Sequence, residues 1–352
     1  MGFRLASSSA NRSIRPMTYR LKRQSSGVLA VHNPALGETM HPVRGPWEEA
    51  TRLYVQGSGL PALLSAPASR TSAPAGEGSA GEVVVFDVGL GAAANALAAL
   101  ACRAELISRH GRARRLRLVS FENDLEPLRF ALAHAAQLGY LLGHEPILET
   151  LAAQGSWSGA GGASWELRLG DFPRTIRQET RRADVVFFDP FSPRTNPDMW
   201  SVSTLEGLYG CRRPGGEMRL VTYSSAFSTR AAMLLAGFFV GAGLSLDGRR
   251  RATEAAAYYS SLDEPLDLRW LSRWKRDREP WPCLTPAGQR RRVRLSLLEH
   301  PQWAHFAQAV EQGREARGRR RAGGAARTVR PAGRRKPARG AAKPPKSSTR
   351  SR

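Results

Sequence analysis

Four short, largely apolar runs in this chain each end on a carboxylate: VVVF on Asp87, LVSF on Glu122, LRLG on Asp171 and VVFF on Asp189. Uninterrupted runs such as VVVF and VVFF suit strands covered on both faces, and helix-compatible segments of about 10 to 15 residues lie between them. Strand and helix in alternation predict an α/β fold, a mostly parallel sheet with helices on both faces. Such sheets bind ligands beyond the carboxyl ends of their strands, where the strand order reverses. The four acids at those ends are therefore the first candidates for a site.

With 352 residues and 41% apolar content, the chain can bury the core of one large domain or two small ones. Residues 1–16 read as a disordered extension. Residues 17–64 read as a hairpin (TYRLKR, an SSG turn, VLAVH) and a first helix opened by Pro46, with Trp47, Ala50, Leu53 and Tyr54 on one face. Residues 65–81 form a linker, 82–262 the α/β core, 263–312 a helical extension and 313–352 a basic tail predicted to be disordered. That tail holds 15 of the Lys and Arg residues and one acid, so +14 of the net +23 sits there and +9 elsewhere. It serves either solubility or sequence-blind phosphate binding. No run reaches the roughly 18 uncharged apolar residues of a membrane span. Cys102, Cys211 and Cys283 lie far apart without ligand spacing, which predicts reduced thiols, a cytoplasmic location and no metal. The Arg- and Ser-rich N-terminus has the composition of a transit peptide, but the hairpin that follows Met17 argues for a plain extension.

The first strand turns through Asp87-Val88-Gly89-Leu90-Gly91 into three alanines and Asn95. Its glycines permit a tight turn and close approach of a ligand, although a ligand-free turn has the same pattern. Glu122, on the next strand, can accept both hydroxyl protons of a ribose, and Asp171 can receive an adenine amino group. A dinucleotide fingerprint wants a third glycine, and Ala94 stands in that place. Asp87 also favours a cationic ligand. These features predict S-adenosylmethionine, a sulfonium bearing an ammonium group, held by Asp87, Gly89, Gly91, Asn95, Glu122 and Asp171.

GLGAAAN, SFEND, LRLGD and above all FFDPFSPRTNPDMW resemble the methyltransferase domain of the MnmC type, the tRNA 5-methylaminomethyl-2-thiouridine-forming enzymes. HPVRGPWEEATRLYV and AGFFVGAGLSLDGRRRAT resemble flanking stretches of that family, so the likeness runs from about residue 20 to 262. The resemblance implies a Rossmann-like class I S-adenosylmethionine-dependent methyltransferase fold for residues 82–262. It implies methyl transfer to the aminomethyl nitrogen of the tRNA wobble uridine, with Gly89, Gly91, Glu122 and Asp171 on the cofactor and Asp189 at the transfer site. The chain departs from the family pattern at Ala92 and Ala93, which replace a hydroxyl residue and a glycine. It departs again at Pro190, which replaces the glycine after the aspartate, removes an N–H and stiffens the loop. No flavin-binding oxidase half is joined to it, so the resemblance implies either a separate oxidoreductase that supplies the aminomethyl form or a substrate that arrives already in that form.

An alkylamine is mostly protonated at neutral pH, so its nitrogen must lose a proton before it can attack a methyl group. Asp189 is placed to accept a hydrogen bond from that nitrogen and aim its lone pair. Phe191 and Trp200 would flank the uracil, although both also suit ordinary core packing against the next helix, Trp200 more than Phe191. His41, Glu48 and Tyr54 would line the substrate entrance. Arg249 and Arg250, with Arg269-Trp270 and Arg273-Trp274, would hold RNA by charge and stacking, and the tryptophan pairs equally suit a capping helix. Three other functions fit parts of the pattern. An aminopropyltransferase would share the fold but use GGGDG and a second acid beside Asp189. A methyltransferase of the same fold would act on another RNA or a small amine. A non-catalytic RNA-binding module would need none of the four acids.

Overall fold

The computed structural model describes residues 19–67, 81–159, 161–248 and 251–312. The N-terminal extension, most of the linker, Arg249, Arg250 and the basic tail lie outside the described residues. No helix among the described residues is long and apolar enough to cross a membrane. The chain divides after Phe306 into two compact units. The first unit holds everything discussed below, and the described part of the second, residues 307–312, is helical.

Strands β1 (Arg20–Arg23), β2 (Leu29–Asn33) and β3 (Glu38–Thr39) form a small antiparallel sheet. The main sheet contains β4 (Glu82–Val88), β5 (Arg115–Glu122), β6 (Ser156–Gly159), β7 (Ala163–Leu169), β8 (Val185–Phe188), β9 (Arg219–Thr222), β10 (Phe239–Ser245) and β11 (Arg251–Ala256). Its order is β10-β11-β9-β8-β4-β5-β7-β6. The five central strands are parallel, whereas β6, β10 and β11 pair antiparallel at the edges. Alternate residues of the central strands feed two apolar layers: Val83, Val85 and Phe187 face one, and Val84, Phe86, Val186 and Phe188 the other. Burial on both faces explains the continuous VVVF and VVFF runs. The chain runs outward from β4 to β5 and β7, then returns to β8 and β9 on the other side of β4. The reversal of strand order therefore falls between β4 and β8.

Several local readings change. The stretch from Leu125 to Leu138 holds two helices, Glu126–Ala133 and Ala135–Leu138. His134 separates them, because its ring Nδ1 pairs at 2.8 Å with the Phe130 carbonyl that the helix backbone would otherwise use. The first helix, Pro46–Glu49, continues as a π-helical stretch, Ala50–Gln56. Trp47 faces outward and stacks on Tyr140, with Pro46 and Glu49 turned inward in its place. The glycine-rich VGAGLS segment is part of β10.

The tryptophans expected to stack on RNA belong to the core. Trp270 and Trp274 are 2% and 1% exposed on the helix Leu268–Trp274, which Asp267 caps by accepting from the Trp270 N–H at 2.8 Å. Arg269 and Arg273 remain outside on the same helix. Trp200 is also fully buried, edge-to-face on Phe188, and donates its indole N–H to the Phe191 carbonyl at 2.9 Å. Burying a large apolar ring yields more than keeping it at a wet surface, and Trp274 also donates its indole N–H to the Pro280 carbonyl at 2.9 Å, whereas the Trp270 indole N–H is buried without a partner.

Candidate active site

Gly89 and Asp189 meet at the reversal between β4 and β8. Gly89 has φ +90°, and a Cβ there would stand 2.8 Å from the Asp189 carbonyl oxygen. Only glycine lets these strand ends approach so closely. The Gly89 N–H continues the ladder to the Phe121 carbonyl at 3.0 Å. Ala93, where the family carries glycine, adopts φ +64° at the start of the helix Ala94–His110.

A cavity of about 710 Å³ opens above these strand ends. Its lining includes Gly89, Gly91, Glu122, Asp171, Asp189, Tyr54 and Phe191. Among the described residues it has eight acids (Glu38, Glu49, Glu122, Asp124, Asp171, Asp189, Asp198 and Asp247), one histidine and no lysine or arginine. In a chain of net charge +23 this local inversion selects for a cationic ligand.

The Glu122 carboxylate is fixed by three backbone donors: Gly91 N–H at 2.9 Å, Asn123 N–H at 2.8 Å and Asp124 N–H at 3.4 Å. Burial raises its pKa against these hydrogen bonds. A carboxylate has about four lone-pair positions, so acceptor capacity remains for one ribose hydroxyl. Asp171 is exposed at the start of the helix Phe172–Gln178, 3.5 Å from the Arg174 guanidinium.

Asp87 and Asn95 stand behind the wall rather than on it. Asp87 is fully buried, accepts from the Ser120 hydroxyl at 2.7 Å, and has an unpartnered Oδ1. Asn95 donates to Asp189 Oδ2 at 2.8 Å. His41 Nε2 stands 3.7 Å from the same oxygen. The Tyr54 hydroxyl is buried beside Asp189, close enough to feel the carboxylate but without a hydrogen bond of ordinary geometry. Burial raises the Asp189 pKa, and His41, Tyr54 and Asn95 oppose that rise.

Glu48 does not reach this cavity. It is 44% exposed and pairs with Arg52 at 3.1 Å, while the adjacent Glu49 turns inward. Glu49 Oε1 accepts from the Val43 and Arg44 N–H groups at 2.6 Å each and from Gly45 at 3.2 Å, which holds the loop carrying His41. The helical phase of Pro46, Ala50, Leu53 and Tyr54 is the signal that distinguishes the two acids. Glu38, which the sequence reading does not pick out, accepts from the Ser192 N–H at 2.9 Å and from the Ser192 and Thr195 hydroxyls, joining β3 to the loop behind Asp189. Tyr223, at the carboxyl end of β9, donates to the Pro190 carbonyl at 3.0 Å and lines the same wall. No short sequence pattern marks Glu38 or Tyr223, because their partners are remote in the chain.

The acceptor-rich lining, without lysine or arginine among the described residues, fits a sulfonium nucleoside, which Gly89, Gly91, Glu122 and Asp171 would hold. Glu122→Ala is expected to weaken S-adenosylmethionine binding by about 1–3 kcal/mol, the scale of a charged hydrogen-bond acceptor. Isothermal titration with S-adenosylhomocysteine measures it, and an unchanged affinity would remove Glu122 from the cofactor site.

Residues 147–258 match the family model described as S-adenosyl-L-methionine-dependent methyltransferase. The chain is 32% identical over 225 residues to the tRNA 5-methylaminomethyl-2-thiouridine biosynthesis bifunctional protein MnmC of Paracidovorax citrulli; the match covers 59% of this chain and 31% of that protein. It is 30% identical over 241 residues to the MnmC of Cupriavidus metallidurans, covering 64% of this chain and 32% of that protein. The chain thus spans about a third of the length of these relatives. The crystal structure of MNMC2 from Aquifex aeolicus has the same fold, with a TM-score of 0.58 at 22% identity, covering 80% of this chain and 83% of that one. By its matched domain and its Rossmann-like fold, the chain is an S-adenosyl-L-methionine-dependent methyltransferase, similar in sequence to the MnmC proteins.

Proposed function

We propose that this protein methylates the aminomethyl nitrogen of the wobble uridine in tRNA, in the cytoplasm. The observation that carries this reading is Asp189, buried at the base of an acidic cavity that has no lysine or arginine among its described lining residues, in a strongly basic protein. A substrate matched to that field is a polyanion with a cationic tip, and an RNA carrying one aminomethyl group meets both conditions. S-adenosylmethionine, when bound, supplies the methyl group on its sulfonium. The work left to the protein is to seat the amine, remove its proton and keep water out.

Asp189 accepts a hydrogen bond from the ammonium and, on its loss of a proton, takes that proton or passes it to solvent. Its raised pKa makes it a stronger acceptor than an exposed carboxylate. Asn95 fixes Oδ2, and His41 on the same oxygen limits how far the carboxylate can turn. Phe191 offers a wall for the uracil, and Tyr54 a second one. Glu38 and Pro190 stiffen the loop between them, so orientation supplies much of the rate.

The test is incubation of the purified protein with S-adenosylmethionine and tRNA bearing the aminomethyl nucleoside, followed by nucleoside mass spectrometry. The expected product is the methylaminomethyl nucleoside. Methylation of free polyamines or of another nucleoside, with none at the wobble position, would replace this reading.

A further inference from the structure

The cavity leaves a question of charge: it can receive a cationic tip, but nothing in its described lining neutralises the phosphates on either side of that tip. The C-terminal extension offers such groups. The helix Arg290–Leu298 begins with Arg290, Arg291 and Arg292, followed by Arg294, all exposed, with no acid in its first turn. Among the described residues these arginines have no carboxylate within ion-pair distance.

Folding alone does not favour this pattern. Arg290 and Arg294 are four residues apart and Arg291 and Arg294 three, so like charges neighbour one another on the helix surface. They also crowd the end where the helix dipole is already positive. A polyanionic partner reverses the sign of both effects.

The preceding segment ties this helix to the cavity wall. Arg290 lies over the Trp281 ring at 5.5 Å, and Trp281 packs edge-to-face on the buried Trp274. Two residues beyond Trp281, Cys283 bridges to Ser201 in parallel, and its sulfur reaches the Pro193 carbonyl at 4.0 Å. Pro193 lies in the loop that runs from Asp189 to Trp200 along the cavity.

We propose that Arg291, Arg292 and Arg294 form a docking surface for the RNA sugar-phosphate backbone, outside the cavity that receives the base. This assignment rests on the RNA substrate proposed above. Its test is Arg291→Gln/Arg292→Gln/Arg294→Gln in the full chain. Binding to a synthetic anticodon stem-loop is followed by fluorescence anisotropy over about 50 to 300 mM salt, where counterion release sets the slope. The plot of log affinity against log salt should become shallower by about three, near one for each phosphate that is no longer neutralised. The KM for tRNA should rise while kcat at saturation, S-adenosylmethionine affinity and melting temperature hold. The triple lysine variant should keep most of the slope. Wild-type binding with an unchanged slope in the glutamine variant overturns this surface alone. A wild-type chain that binds no RNA overturns the surface and the substrate together. Loss of binding to phosphatidylglycerol vesicles, with RNA binding intact, would assign the arginines to a lipid surface instead.

Discussion

Asp189→Asn is expected to lower methyl transfer by about two to four powers of ten, the usual range for a positioned acid-base group. Cofactor affinity should hold, because the variant keeps the shape and Gly89 keeps its approach to the main chain. The pH profile separates the charge from the geometry. In the wild type the rate rises with pH through two limbs, as Asp189 with its raised pKa releases its proton and as the substrate ammonium does. In the variant only the ammonium limb remains. A variant that methylates at the wild-type rate across the pH range would make Asp189 a cap on its loop and nothing more.

Asp87→Asn is expected to stabilise the protein at neutral and alkaline pH. Burial pushes the Asp87 carboxyl from 3.8 up to about 7, and only the Ser120 hydroxyl partly offsets it. The folded state therefore holds this proton more tightly than the unfolded chain does. The associated stability is complete below the ordinary carboxyl range, falls as pH climbs from about 4 to 7, and stays lost above that. At 1.36 kcal/mol per pH unit the loss is on the order of a few kcal/mol. Asparagine keeps an acceptor for Ser120 and removes the charge, so the urea midpoint of the variant should fall less steeply between about pH 5 and 8 than that of the wild type, the remaining fall coming from buried carboxyls such as Glu254. A variant that is less stable than the wild type at pH 8 would show that the ionised carboxylate has a stabilising partner in solution.

The strand ends were legible because a strand buried on both faces leaves a continuous apolar signature, and the residue after it is the first free to be polar. That rule locates Asp87 and Asp189, whereas Glu122 and Asp171 end mixed, partly exposed strands. It does not tell an acid on the wall from one behind it: Asp87 pairs with Ser120, two residues deeper in the sheet than Glu122. Helix phase separates Glu49 from Glu48, but the conversion to π geometry after Glu49 blurs a count based on 3.6 residues per turn. Trp270 and Trp274 alternate with arginines as an RNA-stacking helix would, and the same spacing puts every indole on one inward face. Glu38 could not be found locally at all, since what makes it part of the site is a hydroxyl more than 150 residues away.

That distance has a kinetic meaning. Glu38 and the pair Ser192 and Thr195 are 154 and 157 positions apart, so their union closes one of the longest loops in the chain. Closing a loop costs entropy that grows with the logarithm of its length, and contacts of this kind are slow to arrive in a refolding chain. The sheet can pair β4 with β5 early, through neighbours joined by one helix, and β8 joins later. The clamp across the mouth depends on both the small N-terminal sheet and the finished loop after β8. The ability to bind substrate should therefore return after the bulk of the helical signal in a refolding experiment, and a chain arrested before that step would hold a sheet with an open, unshaped rim.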